Sequence, residues 1–134
     1  MNIRWLRIIL AGVIAEIVPI VILVIVVATM GPGEPEADQE FAKRFGMYIG
    51  PIAGAVAAFV FAIWVARPLS DKLVLHGFLL GAFIALLDAA LLVAGSSEFQ
   101  WIIVFSGLGR IVAGTLGGFV ATRAGLRMPD SGKA

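Results

Sequence analysis

Three ionisable residues interrupt otherwise apolar stretches of the chain, and they are its candidates for chemistry: Glu16, Asp88 and Arg110. A charge near the centre of a bilayer costs about 3 kcal/mol or more unless it is paired or lines a wet cavity, so such residues usually face the inside of a helix bundle. Two carboxyl groups and one guanidinium suit two kinds of chemistry. One is a buried ion-pair network, and the other is a site that exchanges a proton or a cation.

The residues that surround these charges form four long apolar runs. Hydrophobic residues make up 60% of the chain, above the roughly 45–50% typical of soluble domains. Each run has about the 20 residues that a helix needs to cross a hydrocarbon core. Backbone amides cannot stay unpaired in lipid, and the polarity does not alternate as it would in a barrel strand. We therefore predict an all-α integral membrane protein, an antiparallel bundle of four transmembrane helices over residues 5–30, 46–66, 75–94 and 101–122.

The predicted spans leave little chain for anything else, so residues 1–134 are interpreted as one transmembrane domain. Its other parts are an outer loop at 31–45 and a cytoplasmic tail at 123–134. Inside the loop, the segment 31–35 contains two glycines and two prolines and ends the first helix. The acids that follow suit the first turns of a new helix, so the second helix is expected to begin outside the membrane.

The sequence also leaves open the possibility of an internal repeat. The segment from Gly54 to Val60 in the second helix resembles the segment from Gly114 to Val120 in the fourth. A tandem repeat of two helical hairpins would explain this similarity. Its halves would have parallel topology, because each hairpin crosses the membrane an even number of times.

The three charges are predicted to lie at a similar depth. Asp88 and Arg110 are about 12–13 residues from the cytoplasmic ends of their spans, which is about 18–20 Å at 1.5 Å per residue. Glu16 lies about 11 residues into its span, at a comparable level. The connection between the third and fourth spans, near residues 95–98, is short, so these helices are expected to be antiparallel neighbours. We predict an intramembrane polar cluster of these three residues.

This cluster has three interpretations from the sequence. In the first, Arg110 forms a two-point bridge with Asp88 and Glu16 completes its shell, which fixes the register of the helices. In the second, Glu16 is not permanently paired and exchanges protons or a cationic ligand during a transport cycle. In the third, a charge from a partner completes the site. Pro19 and Pro51 each free a backbone carbonyl and are predicted to kink the first and second helices.

Small residues indicate which helix faces pack closely. Pairs of glycines four residues apart remove side chains from one stripe, which lets helix backbones approach where lipid provides no hydrophobic drive for association. Such pairs occur in the second, third and fourth spans, which are therefore predicted to form a tight bundle or a homodimer seam. The residues are Gly50 and Gly54, Gly77 and Gly81, and Gly114 and Gly118.

The remaining sequence favours a protein that is not an enzyme. Cysteine is absent and His76 is the single histidine, so no catalytic residue, cofactor or metal is predicted. The basic residues are too sparse for nucleic acid, and no small-molecule substrate is indicated. We predict an accessory or packing component of a membrane assembly, surrounded by lipid and in contact with a second copy or another membrane protein. The alternative is a small proton- or cation-coupled transporter that acts as a homodimer through Glu16.

The distribution of basic residues predicts the orientation in the membrane. With a cytoplasmic amino terminus, Lys43 and Arg44 are the two basic residues on the outer side. By the positive-inside rule, both termini are then cytoplasmic in a multi-pass protein of the cell (inner) membrane. The basic residues on the cytoplasmic side are Arg4, Arg7, Arg67, Lys72, Arg123, Arg127 and Lys133.

Reporter fusions test this orientation. Fusions at Lys133 and after Asp71 should report the cytoplasm, and a fusion near Asp38 should report the exterior, because the basic residues concentrate on one side. The measurement is paired alkaline phosphatase and fluorescent protein activity. An exterior signal at Lys133 would contradict the four-span topology.

Overall fold

A computed structural model describes residues 3–69, 71–95 and 101–124. Within these ranges the chain is helical, with no strand, and it has four helices that are each long and apolar enough to span a membrane. The predicted all-α, four-helix membrane class is therefore confirmed. The connection at 96–100 and the tail from 125 to 134 lie outside the described residues. The helices are α1 (Trp5–Met30), α2 (Pro35–Ala66), α3 (Leu73–Gly95) and α4 (Trp101–Arg123).

The predicted outer loop at 31–45 is mostly helix, because α2 begins at Pro35. Proline fits the first position of a helix, where its missing N–H would have no partner, and acids in the first turn match the helix dipole. The turn before it requires Gly33, whose φ of 84° is in the left-handed region, and the Gly33 N–H donates to Asp38 at 3.0 Å. The 32 residues of α2 measure about 48 Å. That length exceeds a hydrocarbon core of about 30 Å, as expected for a helix that begins outside the membrane.

Helices α3 and α4 pack backbone against backbone through glycine. A Cβ on Gly77 would meet the carbonyl oxygen of Gly114, and a Cβ on Gly81 would lie 2.6 Å from the carbonyl oxygen of Arg110. Neither side chain has room, since both neighbours are main-chain atoms. The paired residue numbers rise in α3 while they fall in α4, so these two helices are antiparallel. Gly118 makes the same kind of contact with the first residues of α3.

Gly50 does not take part in such packing within the single chain, and the homodimer seam that the sequence leaves open for it stays a prediction. A Cβ on Gly50 would meet no atom within 4 Å. Gly54 is in close contact, but its neighbour is the side chain of Arg110 and not a helix backbone. The buried residues of α2 begin only at Gly54, one turn after Gly50.

The bundle is packed mainly at one end. We call basal the half that contains residues 5–16 of α1 and 54–66 of α2, and apical the half that contains residues 17–30 and 35–53. All buried residues of α1 and α2 lie in the basal half. No Cα atom of α1 comes within 8 Å of one in α4, so the backbone of α1 lies beside α2 and α3. The core consists of small and branched side chains: Ile8, Ala11, Ala15, Ala57, Ala58, Ala62, Val65, Leu80 and Ile84.

The contrast between two glycines tests this packing. Gly77→Ala should lower the free energy of unfolding by about 1–3 kcal/mol, because the methyl group overlaps the backbone of α4. Gly50→Ala is the matched control. It should leave stability unchanged or raise it by up to about 1 kcal/mol, since alanine is the better helix former and has open space. The measurement is reversible unfolding in detergent, and equal effects of the two variants would contradict the packing.

Candidate functional site

The three ionisable residues of the apolar helices meet inside the bundle. Nη1 of Arg110 on α4 donates a hydrogen bond to Oε2 of Glu16 on α1, at 2.9 Å. The same nitrogen lies 3.0 Å from Oδ2 of Asp88 on α3. We call Glu16, Asp88 and Arg110 the ionic cluster. It joins three helices, and it is the contact that links α1 to α4, whose backbones stay apart.

The ionic cluster is almost completely enclosed by protein. Relative exposure is 7% for Glu16, 9% for Asp88 and 2% for Arg110. Counted along their helices from the basal ends, the three residues stand between about 17 and 22 Å deep, within helices that are long enough to cross a core about 30 Å thick. Removing charges from water at this depth is costly, and mutual pairing offsets the cost only where the geometry is good.

Ser106 is a fourth member of the site that the sequence analysis did not identify. Its Oγ donates a hydrogen bond to Oδ2 of Asp88 at 3.1 Å, and its relative exposure is 5%. Ser106 precedes Arg110 by four residues and therefore shares its helix face. This spacing was the available signal, since a hydroxyl one turn from a buried arginine points toward the same partners.

Helix α2 contributes no charged group to the site, but its Gly54 leaves room for the guanidinium of Arg110. A Cβ on Gly54 would lie 2.5 Å from both Nε and Nη2 of Arg110, so the guanidinium rests directly on the bare backbone of α2. A side chain at this position would displace the guanidinium. All four helices consequently meet at Arg110. Helices α1, α3 and α4 contribute polar side chains, and α2 contributes the backbone at Gly54.

The pairing differs in detail from the two-point bridge between Arg110 and Asp88 that the sequence suggested. One nitrogen, Nη1, serves both carboxyl groups, because Glu16 and Asp88 approach the same corner of the guanidinium from different helices. Nε of Arg110 is buried without a hydrogen-bond partner. Two carboxylates and one guanidinium leave the cluster with one negative charge in excess if both acids are ionised.

The two prolines lie close to the site along the chain. Pro19 is three residues after Glu16 in α1, and Pro51 is three residues before Gly54 in α2. Both lie inside continuous helices. The kinks expected at these positions remain a prediction.

Two further polar side chains lie toward the basal end, His76, which is buried, and Arg7, which is partly exposed. Nδ1 of His76 lies 2.9 Å from the carbonyl oxygen of Lys72 and donates to it, while its Nε2 is buried without a partner. Arg7 donates to the carbonyl oxygen of Trp64 at 2.9 Å and stacks on the Trp64 ring at 4.2 Å. This contact ties the start of α1 to the end of α2. The described residues contain no group of three or more potential metal ligands.

Fold and site together define a small four-helix membrane protein with an ionic cluster inside the bundle. No protein-family model matches this chain. No curated protein and no solved structure matches it either.

A mutant cycle tests the pairing. Arg110→Met should lower the free energy of unfolding by about 3–5 kcal/mol, because it leaves two buried carboxyl groups without their cation. Glu16→Gln should also destabilise the protein, and the two changes together should cost less than their sum by about 0.5–3 kcal/mol.

The control for this cycle pairs Arg110→Met with Glu40→Gln, since Glu40 is exposed and pairs with Arg44. These two changes should be additive. Unfolding in detergent gives all the required values. Additivity between Glu16 and Arg110 would show that their contact does not contribute to stability.

Proposed function

We propose that this small membrane protein is a non-enzymatic accessory or packing component of a membrane assembly. The supporting observation is that the polar centre of the bundle is engaged in holding the fold. Arg110 contacts Glu16 and Asp88, and it also rests on Gly54, so it connects all four helices. Side chains fixed in this way stabilise one arrangement of the helices. A packing component needs such a fixed arrangement, because it has to present a rigid surface to its partner.

The surface proposed to receive a partner is the apical half of α1. Residues 17–30 contain no buried position, and their side chains are almost all aliphatic. Val24 and Ile25 are 62% and 56% exposed. Association in lipid depends on van der Waals packing and interhelical hydrogen bonds. The fitting partner is therefore an apolar transmembrane helix, from a second copy of the chain or from another membrane protein.

The second candidate is a homodimeric transporter that couples to protons or cations through Glu16. One observation favours it, which is the excess of one carboxylate over the single guanidinium. The excess negative charge suits the binding and release of one proton or one cation. The two candidates differ in sufficiency, because an accessory component needs another protein and a minimal transporter does not.

The proposed location is the cell (inner) membrane, with both termini in the cytoplasm. The support is the bias of basic residues toward the basal end, where Arg4, Arg7, Arg67 and Lys72 lie. In this orientation the projecting start of α2 is on the outer side, and its Glu40–Arg44 pair, at 2.7 Å, is exposed to water.

Site-specific photocrosslinking in native membranes tests the accessory role. A photoreactive residue at Val24 should give a discrete adduct with a membrane protein or with a second copy, because this face is proposed to receive a helix. Val93 on α3 is the matched control, since it is the same residue type with the same 62% exposure near the same end of the bundle. It should give no discrete adduct.

Two results would contradict the accessory role. The first is the lack of a discrete adduct at Val24, as at Val93, which would indicate that both positions face lipid alone. The second is proton- or cation-linked flux by the purified chain in liposomes, abolished by Glu16→Gln in a variant that still folds. That result would favour the transporter.

A further inference from the structure

We propose that the ionic cluster is a binding site for one proton, shared by the carboxyl groups of Glu16 and Asp88 while Arg110 stays charged. The proton is taken from water and forms an O–H bond on one carboxyl group. This site goes beyond the accessory role, because its occupancy is an equilibrium property of the single chain and requires neither a partner nor transport.

The first support is the distance between the two acids. Oε2 of Glu16 and Oδ2 of Asp88 both contact Nη1 of Arg110, so they are less than about 6 Å apart. An ionised carboxylate only accepts hydrogen bonds, so two ionised carboxylates offer each other no donor, whereas a proton on one of them supplies one. Like charges held this close in a buried site disfavour joint ionisation.

The second support is the charge of the described groups that face the cluster. Helix α4 provides the guanidinium of Arg110 and the neutral hydroxyl of Ser106. Helix α2 provides Gly54, which has no side chain to titrate. Helices α1 and α3 provide the two acids themselves. His76 is 12 residues from Asp88 on α3, about 18 Å along the helix, and does not reach the cluster. One proton therefore makes the enclosed group neutral.

The supply of hydrogen-bond donors leads to the same conclusion. Two ionised carboxylates have about eight lone-pair positions to satisfy. The described hydrogen bonds provide them with Nη1 of Arg110 and Oγ of Ser106, while Nε of Arg110 has no partner. A proton on one carboxyl group adds a donor and removes an acceptor demand. Asp88 has the additional donor Ser106, so the oxygens of Asp88 are better supplied with hydrogen-bond donors than those of Glu16.

A metal cation fits this geometry less well than a proton does. The guanidinium nitrogen already occupies the point between the two acids, at 2.9 and 3.0 Å from their oxygens. A cation placed there would stand against the permanent positive charge of Arg110. A proton requires no vacant coordination sphere, because it lies within the O–H bond.

Infrared spectroscopy of the purified, full-length protein in an ester-free detergent tests the proposal. A protonated carboxyl group has a C=O stretch well separated from the carboxylate bands, and it shifts in heavy water. At neutral pH the wild type should show this band with the area of one carboxyl group per chain. Glu16→Gln and Asp88→Asn should each abolish it, because the acid that remains pairs with Arg110. Glu40→Gln, at an exposed site, should leave it unchanged.

Several results would overturn the proposal. Absence of the band in folded wild type from mildly acidic to mildly alkaline pH would do so without any variant. A band that persists in both Glu16→Gln and Asp88→Asn would place the proton elsewhere. Loss of the wild-type band on replacing choline chloride by sodium chloride would show that a metal cation takes the place of the proton. A folded Arg110→Met variant should show about twice the band area, and an unchanged area would count against the shared site.

Discussion

The permanent charge of Arg110 is the constraint on which the rest of the structure depends. A guanidinium does not lose its proton in proteins, so a buried arginine has to be paired and cannot become neutral. Here its relative exposure is 2% and its position is near the middle of the bundle. Glu16 and Asp88 are held by two other helices at a common level because their charge is required there. Gly54 is bare because the guanidinium occupies the place of a side chain.

The same interaction explains the uneven packing of the helices. Helices α3 and α4 approach closely along glycine faces, while α1 never comes near the backbone of α4. The long side chain of Arg110 spans the space between them and reaches Glu16. The basal half is consequently fixed by buried side chains below this contact. The apical half of α1 has no buried position and is available to lipid or to a partner helix.

The charge balance of the cluster gives it a property that a simple ion pair lacks. A pair of one acid and one base is neutral, so it has no excess charge that attracts a further proton. The second acid here shares the only nitrogen that the first one uses, so the two carboxyl groups compete for one donor. Ser106 partly relieves this competition on the side of Asp88. The two acids therefore differ in their hydrogen bonding, because one hydroxyl on α4 donates to Asp88 and not to Glu16.

The sequence alone determined the fold class and the ends of most helices, because the bilayer imposes a minimum helix length and a uniform polarity that are visible residue by residue. It also indicated that Glu16, Asp88 and Arg110 stand at one depth, since depth follows from position along a helix. It did not determine that Gly54 receives a guanidinium while Gly50 has open space around it, because both look alike in a pattern of glycines. Nor did it reveal that one nitrogen serves both acids, or that Ser106 joins them. These features depend on how the helices are rotated and how closely they approach, and only the tertiary packing of all four helices fixes those two quantities.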